Sequence, residues 1–214
     1  MDTSDRLKKI YSLLLKKFDP QHWWPGETPF EVMIGAVLTQ NTSWGNVEKA
    51  IANIKRANLL DPKKLLNLSP GHLAELIRPA GYFNVKAKRL RNFLKYFVDE
   101  YEGAPSEMEK QGLPKLREEL LGVNGIGRET ADSILLYALN KPVFVCDTYT
   151  YRILSRHGLV PESADYDEIQ STFMDNLCED VSLFNEYHAL IVRTGKEFCR
   201  PKPRCENCPL KKDL

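Results

Sequence analysis

The stretch that decides the fold is Leu116-Arg-Glu-Glu-Leu-Leu-Gly122-Val-Asn-Gly125-Ile-Gly127-Arg-Glu-Thr-Ala-Asp-Ser-Ile-Leu135. A helix is expected to stop at Gly122 and a second to begin directly after Gly127, because glycine ends helices and lets the backbone turn. A tight turn between two helices explains one glycine and leaves the other two unexplained. The pattern therefore predicts a helix-hairpin-helix, in which backbone N–H groups approach a phosphate at the start of the second helix.

Two other phosphate-binding patterns do not fit these glycines. A dinucleotide fingerprint needs GxGxxG after a strand, whereas this chain has GxxGxG after a helix. A P-loop needs Gly-Lys-Ser or Gly-Lys-Thr, and the sequence offers Gly127-Arg128-Glu129.

Helical periodicity extends over nearly the whole chain. No stretch longer than 142–146 alternates or runs as a strand would. We therefore predict an all-α protein of about ten short helices. Apolar stripes at helical spacing include Leu7, Ile10, Leu14 and Phe18, then Phe30, Ile34 and Val37, then Ala87, Leu90, Phe93 and Phe97.

Composition excludes several classes of protein. The 214 residues are 43% hydrophobic and 28% charged, which is typical of a globular chain and not of a disordered one. The longest apolar run, 32–38, is about a third of the ~20 residues that span a bilayer. We expect no membrane partner and a cytoplasmic protein. The net charge of +1 decides nothing about nucleic acid, so any basic face must be local.

The hairpin 123–131, followed by Val145-Cys146-Asp147-Thr148-Tyr149, resembles the helix-hairpin-helix DNA glycosylases of the endonuclease III superfamily. The resemblance implies two helical lobes with a DNA-binding cleft between them. One would be a central lobe over 28–141, and the other would combine 1–27 with 142–214. It also implies a partner, double-stranded DNA containing a damaged base, and we expect a nucleoid-associated monomer.

Within that superfamily the chain is most similar to the 3-methyladenine DNA glycosylase III branch. The likeness rests on Trp23-Trp24-Pro25, on Trp44 and on the run 125–135. N-alkylated purines can be cationic, so they leave easily and need a flat receptor. An indole face attracts a cation by about 0.5 to 2 kcal/mol. We expect the base pocket to contain Trp23, Trp24, Pro25 and Trp44, although such side chains also serve as ordinary packing.

The resemblance also assigns a carboxylate and the DNA contacts. Asp147 would stabilise an oxocarbenium-like sugar or activate water, and as a preferred N-cap it would also start the next helix. Gln40 would fill the gap left by an extruded nucleotide. The remaining predicted DNA contacts are Asn84, Lys86, Gly125, Gly127, Arg128, Thr130 and Arg152.

Two positions depart from the endonuclease III pattern. Asn124 replaces the usual hairpin proline, and Glu129 stands where the bifunctional lyases carry their Schiff-base lysine. Without that amine, strand cleavage by β-elimination loses its main route. The sequence thus favours a monofunctional glycosylase. The alternatives are a bifunctional enzyme that uses Lys86 or Lys196, and a DNA-binding module without chemistry.

Three of the five cysteines, Cys199, Cys205 and Cys208, crowd into the C-terminal segment. The family holds a 4Fe-4S cluster with Cys-x6-Cys-x2-Cys-x5-Cys, and here the fourth position would fall at Leu214 or just past it. Three explanations stay open. The fourth cysteine lies beyond this sequence, the cluster is absent, or three thiolates and another group bind a different metal.

Overall fold

The computed structural model describes residues 2–23 and 26–211, and within them it contains helices and no β-strand. This confirms the all-α prediction. None of the described helices is both long and apolar enough to cross a membrane. The twelve α-helices of the described ranges are α1 (Thr3–Phe18), α2 (Pro29–Leu38), α3 (Trp44–Arg56), α4 (Pro62–Leu66), α5 (Pro70–Leu76), α6 (Phe83–Tyr101), α7 (Pro105–Glu109), α8 (Leu113–Gly122), α9 (Arg128–Ser133), α10 (Thr148–Arg156), α11 (Tyr166–Met174) and α12 (Val181–Glu197).

The chain divides into two compact units. The central unit is Trp24–Lys141, and the terminal unit combines Met1–Trp23 with Pro142–Leu214. The central unit contains α2 to α9, and the terminal unit contains α1 and α10 to α12. The DNA-binding cleft expected between two lobes stays a prediction.

Helix starts in the central unit follow a simple rule in the sequence. At Thr28, Asp61 and Ser69 a side-chain oxygen accepts a hydrogen bond from a backbone N–H of the first turn, and proline follows directly. A capping oxygen satisfies an otherwise unpaired donor, and proline suits the first helical position because it has no N–H to leave unpaired. These local signals fix where α2, α4 and α5 begin.

The core of the central unit forms around α2 and α6. Phe30 of α2 stacks on Phe97 at 5.9 Å between ring centroids, and Phe97 stacks on Phe93 at 5.7 Å. Phe93 and Phe97 are fully buried. Such aromatic pairs add to the stabilisation that burial itself provides. The long helix α6 therefore serves as the spine against which the hairpin is set.

The predicted hairpin connects α8 to α9. Gly125 has φ +100°, a conformation that favours glycine. A Cβ added at Gly125 would also lie only 2.4 Å from Cγ of Arg89 in α6. Asn92 of α6 donates to the Asn124 carbonyl at 2.9 Å, and Ile126 is buried. Two side chains of α6, those of Arg89 and Asn92, thus hold the hairpin against this helix.

A buried ion pair joins the two helices of the hairpin. Asp132 of α9 is completely buried, and its carboxylate accepts two hydrogen bonds from the Arg117 guanidinium of α8, at 2.8 and 3.1 Å. The bidentate geometry is the strong form of an arginine–carboxylate contact. Beyond α9 the helix continues as a π-helical turn over Ile134–Ala138, whose side chains are all buried.

The terminal unit packs α1 and α10 against α12. Tyr187 of α12 is fully buried and donates its hydroxyl to the Leu7 carbonyl of α1 at 2.9 Å. Phe144, in the extended segment before α10, stacks on Phe173 of α11 at 3.6 Å. A Cβ at Gly195 would lie 2.3 Å from the Tyr149 ring, so glycine is what lets α10 approach α12 this closely.

Replacing Asp132 with asparagine tests the ion pair within the hairpin. We expect Asp132→Asn to lower the free energy of unfolding by about 2 kcal/mol, because it leaves the Arg117 charge without its buried partner. The matched control is Glu75→Gln in the exposed Arg78–Glu75 pair, where both side chains are more than 60% exposed. That change should cost less than about 0.5 kcal/mol. Equal urea midpoints for the two variants would contradict the role given to Asp132.

Candidate DNA-binding and active site

Asp147 is the N-cap of α10. Its Oδ1 accepts from the Thr150 N–H at 2.8 Å and from the Thr150 hydroxyl at 3.0 Å. Its Oδ2 faces Nε2 of His188 at 3.8 Å, and 15% of the side chain is exposed. Capping therefore occupies one carboxylate oxygen and fixes the direction of the other. The cap and the catalytic role predicted for Asp147 are compatible in this geometry.

Sequence reasoning missed His188, which lies midway along α12 with no motif around it. Its ring stacks on Trp23 with centroids 5.5 Å apart and planes 19° from parallel. Only 4% of His188 is exposed. Burial lowers the pKa of His188, the Asp147 carboxylate raises it, and Lys196 lowers it further. The structure thus brings Trp23 to a face of the imidazole and Asp147 to its Nε2.

The other predicted base-pocket residues fall into two groups. Trp44 begins α3 in the central unit and is half-buried, with its ring 3.1 Å from the position of a Cβ on Gly35. Its indole N–H donates to Glu48 at 2.9 Å. Trp24 and Pro25 lie outside the described residues, so their place in a pocket stays a prediction.

The hairpin presents two glycines whose lack of a side chain is not explained by packing. A Cβ at Gly122 or Gly127 would meet nothing within 4 Å, in contrast to Gly125. Gly127 caps α9 through its backbone alone, without a side-chain hydrogen bond. The predicted contact residue Arg128 is exposed beside it. This end of the hairpin has the open approach and the N–H donors that a phosphate requires.

Gln40, the predicted insertion residue, is tied to the hairpin. Its Nε2 donates to the Gly125 carbonyl and to the Thr130 hydroxyl, both at 3.1 Å, and its Oε1 accepts from the Arg89 guanidinium. Thr130 is buried, so its hydroxyl is engaged inside the unit. The DNA contact predicted for Thr130 stays a prediction, and its hydroxyl in this structure bonds Gln40.

Lys86 is also a structural residue. It is 1% exposed, and its ammonium donates to the carbonyls of Leu38 at 2.9 Å and Ala80 at 2.7 Å. These carbonyls end α2 and the 3₁₀ turn Arg78–Ala80, where a cation is favourable. Burial lowers the pKa of Lys86, and Arg89 lowers it further. The ammonium of Lys86 therefore lies inside the protein, and the DNA contact predicted for Lys86 stays a prediction.

Arg152 links α10 to the segment after α12. Its guanidinium donates to the Cys199 carbonyl at 2.9 Å and lies over the Tyr149 ring at 5.6 Å. The side chain is half-buried in the terminal unit. The phosphate contact predicted for Arg152 stays a prediction.

An exposed surface on α6 includes one residue that sequence reasoning did not single out. Tyr82 is 74% exposed and has φ +46°, which is uncommon for a bulky residue. It immediately precedes α6, and the predicted contact residue Asn84 is exposed in the first turn. Backbone strain of this kind is concentrated at functional sites, which makes Tyr82 a candidate contact residue. The signal in the sequence was the glycine before it, Gly81.

The three C-terminal cysteines line a cavity of about 300 Å³ together with Leu210, in the terminal unit. Burial raises the pKa of the Cys208 thiol, and Cys199 and Cys205 raise it further. Arg156 donates to Cys199 Sγ at 3.3 Å and to the Arg200 and Pro201 carbonyls at 2.7 and 3.0 Å.

The three thiols match three of the four positions of the cluster that the resemblance implied. The fourth position would fall at 214, which lies outside the described residues, or just past it, so the cluster stays a prediction. Among the described residues, no three His, Cys, Asp or Glu side chains are arranged to hold a metal ion.

Comparison with known proteins places these features in a family. Residues 34–179 match the family described as HhH-GPD superfamily base excision DNA repair protein. A protein of Methanocaldococcus jannaschii whose name assigns it to the DNA repair glycosylases is 53% identical over 97% of this chain and 94% of its own length. Endonuclease III of Thermotoga maritima is 32% identical over 96% of this chain and 90% of its own.

Solved structures agree with that assignment. H. pylori 3-methyladenine DNA glycosylase, solved with 1,N6-ethenoadenine, superimposes with a TM-score of 0.78 at 34% identity, covering 92% of this chain and 98% of the other. A non-covalent endonuclease III–DNA complex gives 0.83 at 23% identity over 99% and 95%, a likeness of fold. The helix-hairpin-helix protein described above therefore belongs to the HhH-GPD superfamily of base excision DNA repair proteins.

Proposed function

We propose that this protein is a monofunctional DNA glycosylase, acting as a monomer on duplex DNA, that excises alkylated purines by hydrolysis of the N-glycosidic bond. The observation that carries the proposal is the Asp147 carboxylate, with one oxygen fixed by its own helix and the other facing His188, on whose ring Trp23 stacks. A flat electron-rich indole and a carboxylate that share one neighbour suit a cationic leaving base and a cationic sugar.

The hairpin would hold the DNA backbone. Backbone N–H groups around Gly127 and the guanidinium of Arg128 supply donors for one phosphate, and Asn84 supplies a second polar contact from α6. Phosphate contacts of this kind position the duplex without reading its sequence. The enzyme would then find a lesion through the damaged base itself.

A base inside a duplex must be extruded, at a cost of a few kcal/mol of stacking. Gln40 would enter the gap after giving up its three hydrogen bonds to Arg89, Gly125 and Thr130. Tyr82, which is exposed, would stack on the base that has lost its partner. Base–aromatic stacking contributes about 1 to 3 kcal/mol.

Asp147 would act on the sugar. When the C1′–N bond breaks, its electron pair leaves with the base, and C1′ becomes oxocarbenium-like. The carboxylate stabilises this positive charge, water forms the new C1′–O bond, and Asp147 accepts the water proton. A base that is already positively charged becomes neutral on leaving, so no general acid is needed on its side.

Strand cleavage would be absent. Glu129 is exposed in the first turn of α9, where the lyases of this superfamily carry an amine. Lys86 is buried against two carbonyls, which removes one of the two substitutes. Lys196 is exposed in the terminal unit, and its charge contributes to lowering the pKa of His188. It is therefore the amine to examine if cleavage occurs.

Two alanine variants of the hairpin test the phosphate contact. Gly127→Ala should weaken binding to duplex DNA about tenfold, because the added methyl group blocks the approach of a phosphate to the N–H groups. Gly122→Ala is the control, since its Cβ also meets nothing within 4 Å. Both variants should keep the thermal stability of the parent. Equal DNA affinity for the two, measured by fluorescence anisotropy, would count against the hairpin.

Asp147→Asn tests the carboxylate. Asparagine is as good an N-cap as aspartate, so the variant should fold. We expect base release to fall by about three orders of magnitude, while affinity for the same DNA stays nearly unchanged. The control is Asp165→Asn, which alters another aspartate N-cap of the terminal unit. Unchanged turnover would show that Asp147 is only a cap.

Release of labelled base from duplexes, with strand integrity checked before alkali, tests substrate and reaction together. We expect release of 3-methyladenine and 7-methylguanine, with intact strands and no adduct trapped by borohydride. Release of ethenoadenine should be slower, because this neutral base must take up a proton from water as it leaves. Preferential release of uracil, mismatched thymine or an oxidised pyrimidine would overturn the choice of substrate. Efficient trapping would overturn the monofunctional assignment.

Glu129→Lys tests whether Schiff-base formation with DNA can be introduced into this protein. It places an amine where the resemblance to the lyases puts their nucleophile, so weak borohydride trapping should appear. Glu118→Lys, an exchange of the same type on α8, is the control and should give no adduct. Trapping by both variants, or by neither, would show that position 129 does not correspond to the lysine position of the lyases.

A further inference from the structure

His188 lies in the terminal unit, against Trp23, Phe144 and Asp147. One face of its ring covers Trp23, its edge meets Phe144 at 6.4 Å and 87°, and Nε2 lies 3.8 Å from Asp147 Oδ2. Its neighbours on α12 within the core are apolar or paired, as Tyr187 is with Leu7. A leucine or phenylalanine would fill this volume without the cost of burying an imidazole. Packing alone therefore does not explain a histidine here.

The charges that face His188 come from two elements. Asp147 precedes α10 and Lys196 lies two turns further along α12, and Trp23 and Phe144 add uncharged rings. With the imidazole buried, the neutral form is favoured. A neutral ring behind Trp23 leaves the indole face electron-rich, whereas an imidazolium would oppose a cation stacked on the other side.

We propose that His188 is a positioning residue for base excision, which holds the Trp23 indole and the Asp147 carboxylate in register and keeps the receptor selective for cationic bases. The inference rests on the proposed function, because it assumes that Asp147 acts on the sugar and that Trp23 receives the base. It adds that both depend on one neutral side chain between them.

Two variants each remove one of the two contacts of His188. His188→Phe keeps a flat ring for Trp23 and removes the nitrogen that faces Asp147, and His188→Gln keeps a polar group and removes the ring. We expect both to lower the single-turnover rate by about tenfold to a hundredfold, with affinity for abasic-site DNA within about twofold of the parent. His72→Gln, in exposed α5 of the other unit, is the control.

A purely structural histidine would not affect the choice of base. In the parent protein, the rate ratio of 7-methylguanine, a cationic base, to ethenoadenine, a neutral one, should fall as acid protonates His188. In His188→Phe the ratio should fall less over the same pH range, because only the proton uptake of the leaving ethenoadenine still depends on pH. A parent ratio that varies with pH no more than that of His188→Phe, or full activity of His188→Phe, would overturn the inference. Melting temperatures of all variants identify any that fail to fold.

Tryptophan emission tests the stack without any catalysis. An imidazolium quenches an adjacent indole more strongly than a neutral imidazole does. The emission of Trp23 is the difference between the spectra of the parent and of Trp23→Phe. In the parent, this emission should decrease when acid protonates His188. The same component should be insensitive to pH in His188→Phe. If the Trp23 emission of the parent does not vary with pH, the stacking of Trp23 on His188 is contradicted. If the parent shows the emission change and releases no alkylated purine, the proposed function fails and the stack stands.

Discussion

The close approach of Arg89 to Gly125 is the contact on which the central unit's surface depends. The arginine stem lies where a side chain at Gly125 would have to be, and its guanidinium continues to Gln40. Gln40 in turn bonds the Gly125 carbonyl and Thr130. One residue of α6 thus fixes both the shape of the hairpin and the resting position of the side chain proposed to enter DNA. Glycine at 125 is required by packing as well as by its φ.

Two sets of charged groups stabilise the fold of the central unit from inside it. Lys86 closes the carbonyl ends of two helical segments, and Asp132 with Arg117 joins the helices of the hairpin. Each satisfies groups that would otherwise be buried unpaired, which is why the charge is tolerated. Asp147 differs because only one of its oxygens is needed by its helix. The partial exposure of its side chain leaves the second available for chemistry.

The terminal unit combines a rigid support with a polar centre. Tyr149 lies directly on α12 at Gly195, and Arg152 and Arg156 hold the segment after α12 to α10. These contacts fix the start of α10, and therefore Asp147, relative to His188. In a protein proposed to stabilise developing charge, this matters because preorganised groups need no rearrangement during the reaction. The three cysteines lie at the far end of the same helix pair.

Local sequence determined the helices, their caps, the hairpin and the position of Asp147, because periodicity, capping residues and glycines act over a few residues. Tertiary structure alone decided that Lys86, Thr130 and Arg152 are engaged inside the protein, since burial depends on neighbours distant in sequence. For the same reason no pattern could reveal His188, whose partners Trp23 and Asp147 lie on other segments of the chain. A side chain's type is written in the sequence, but its surroundings arise only when the helices pack.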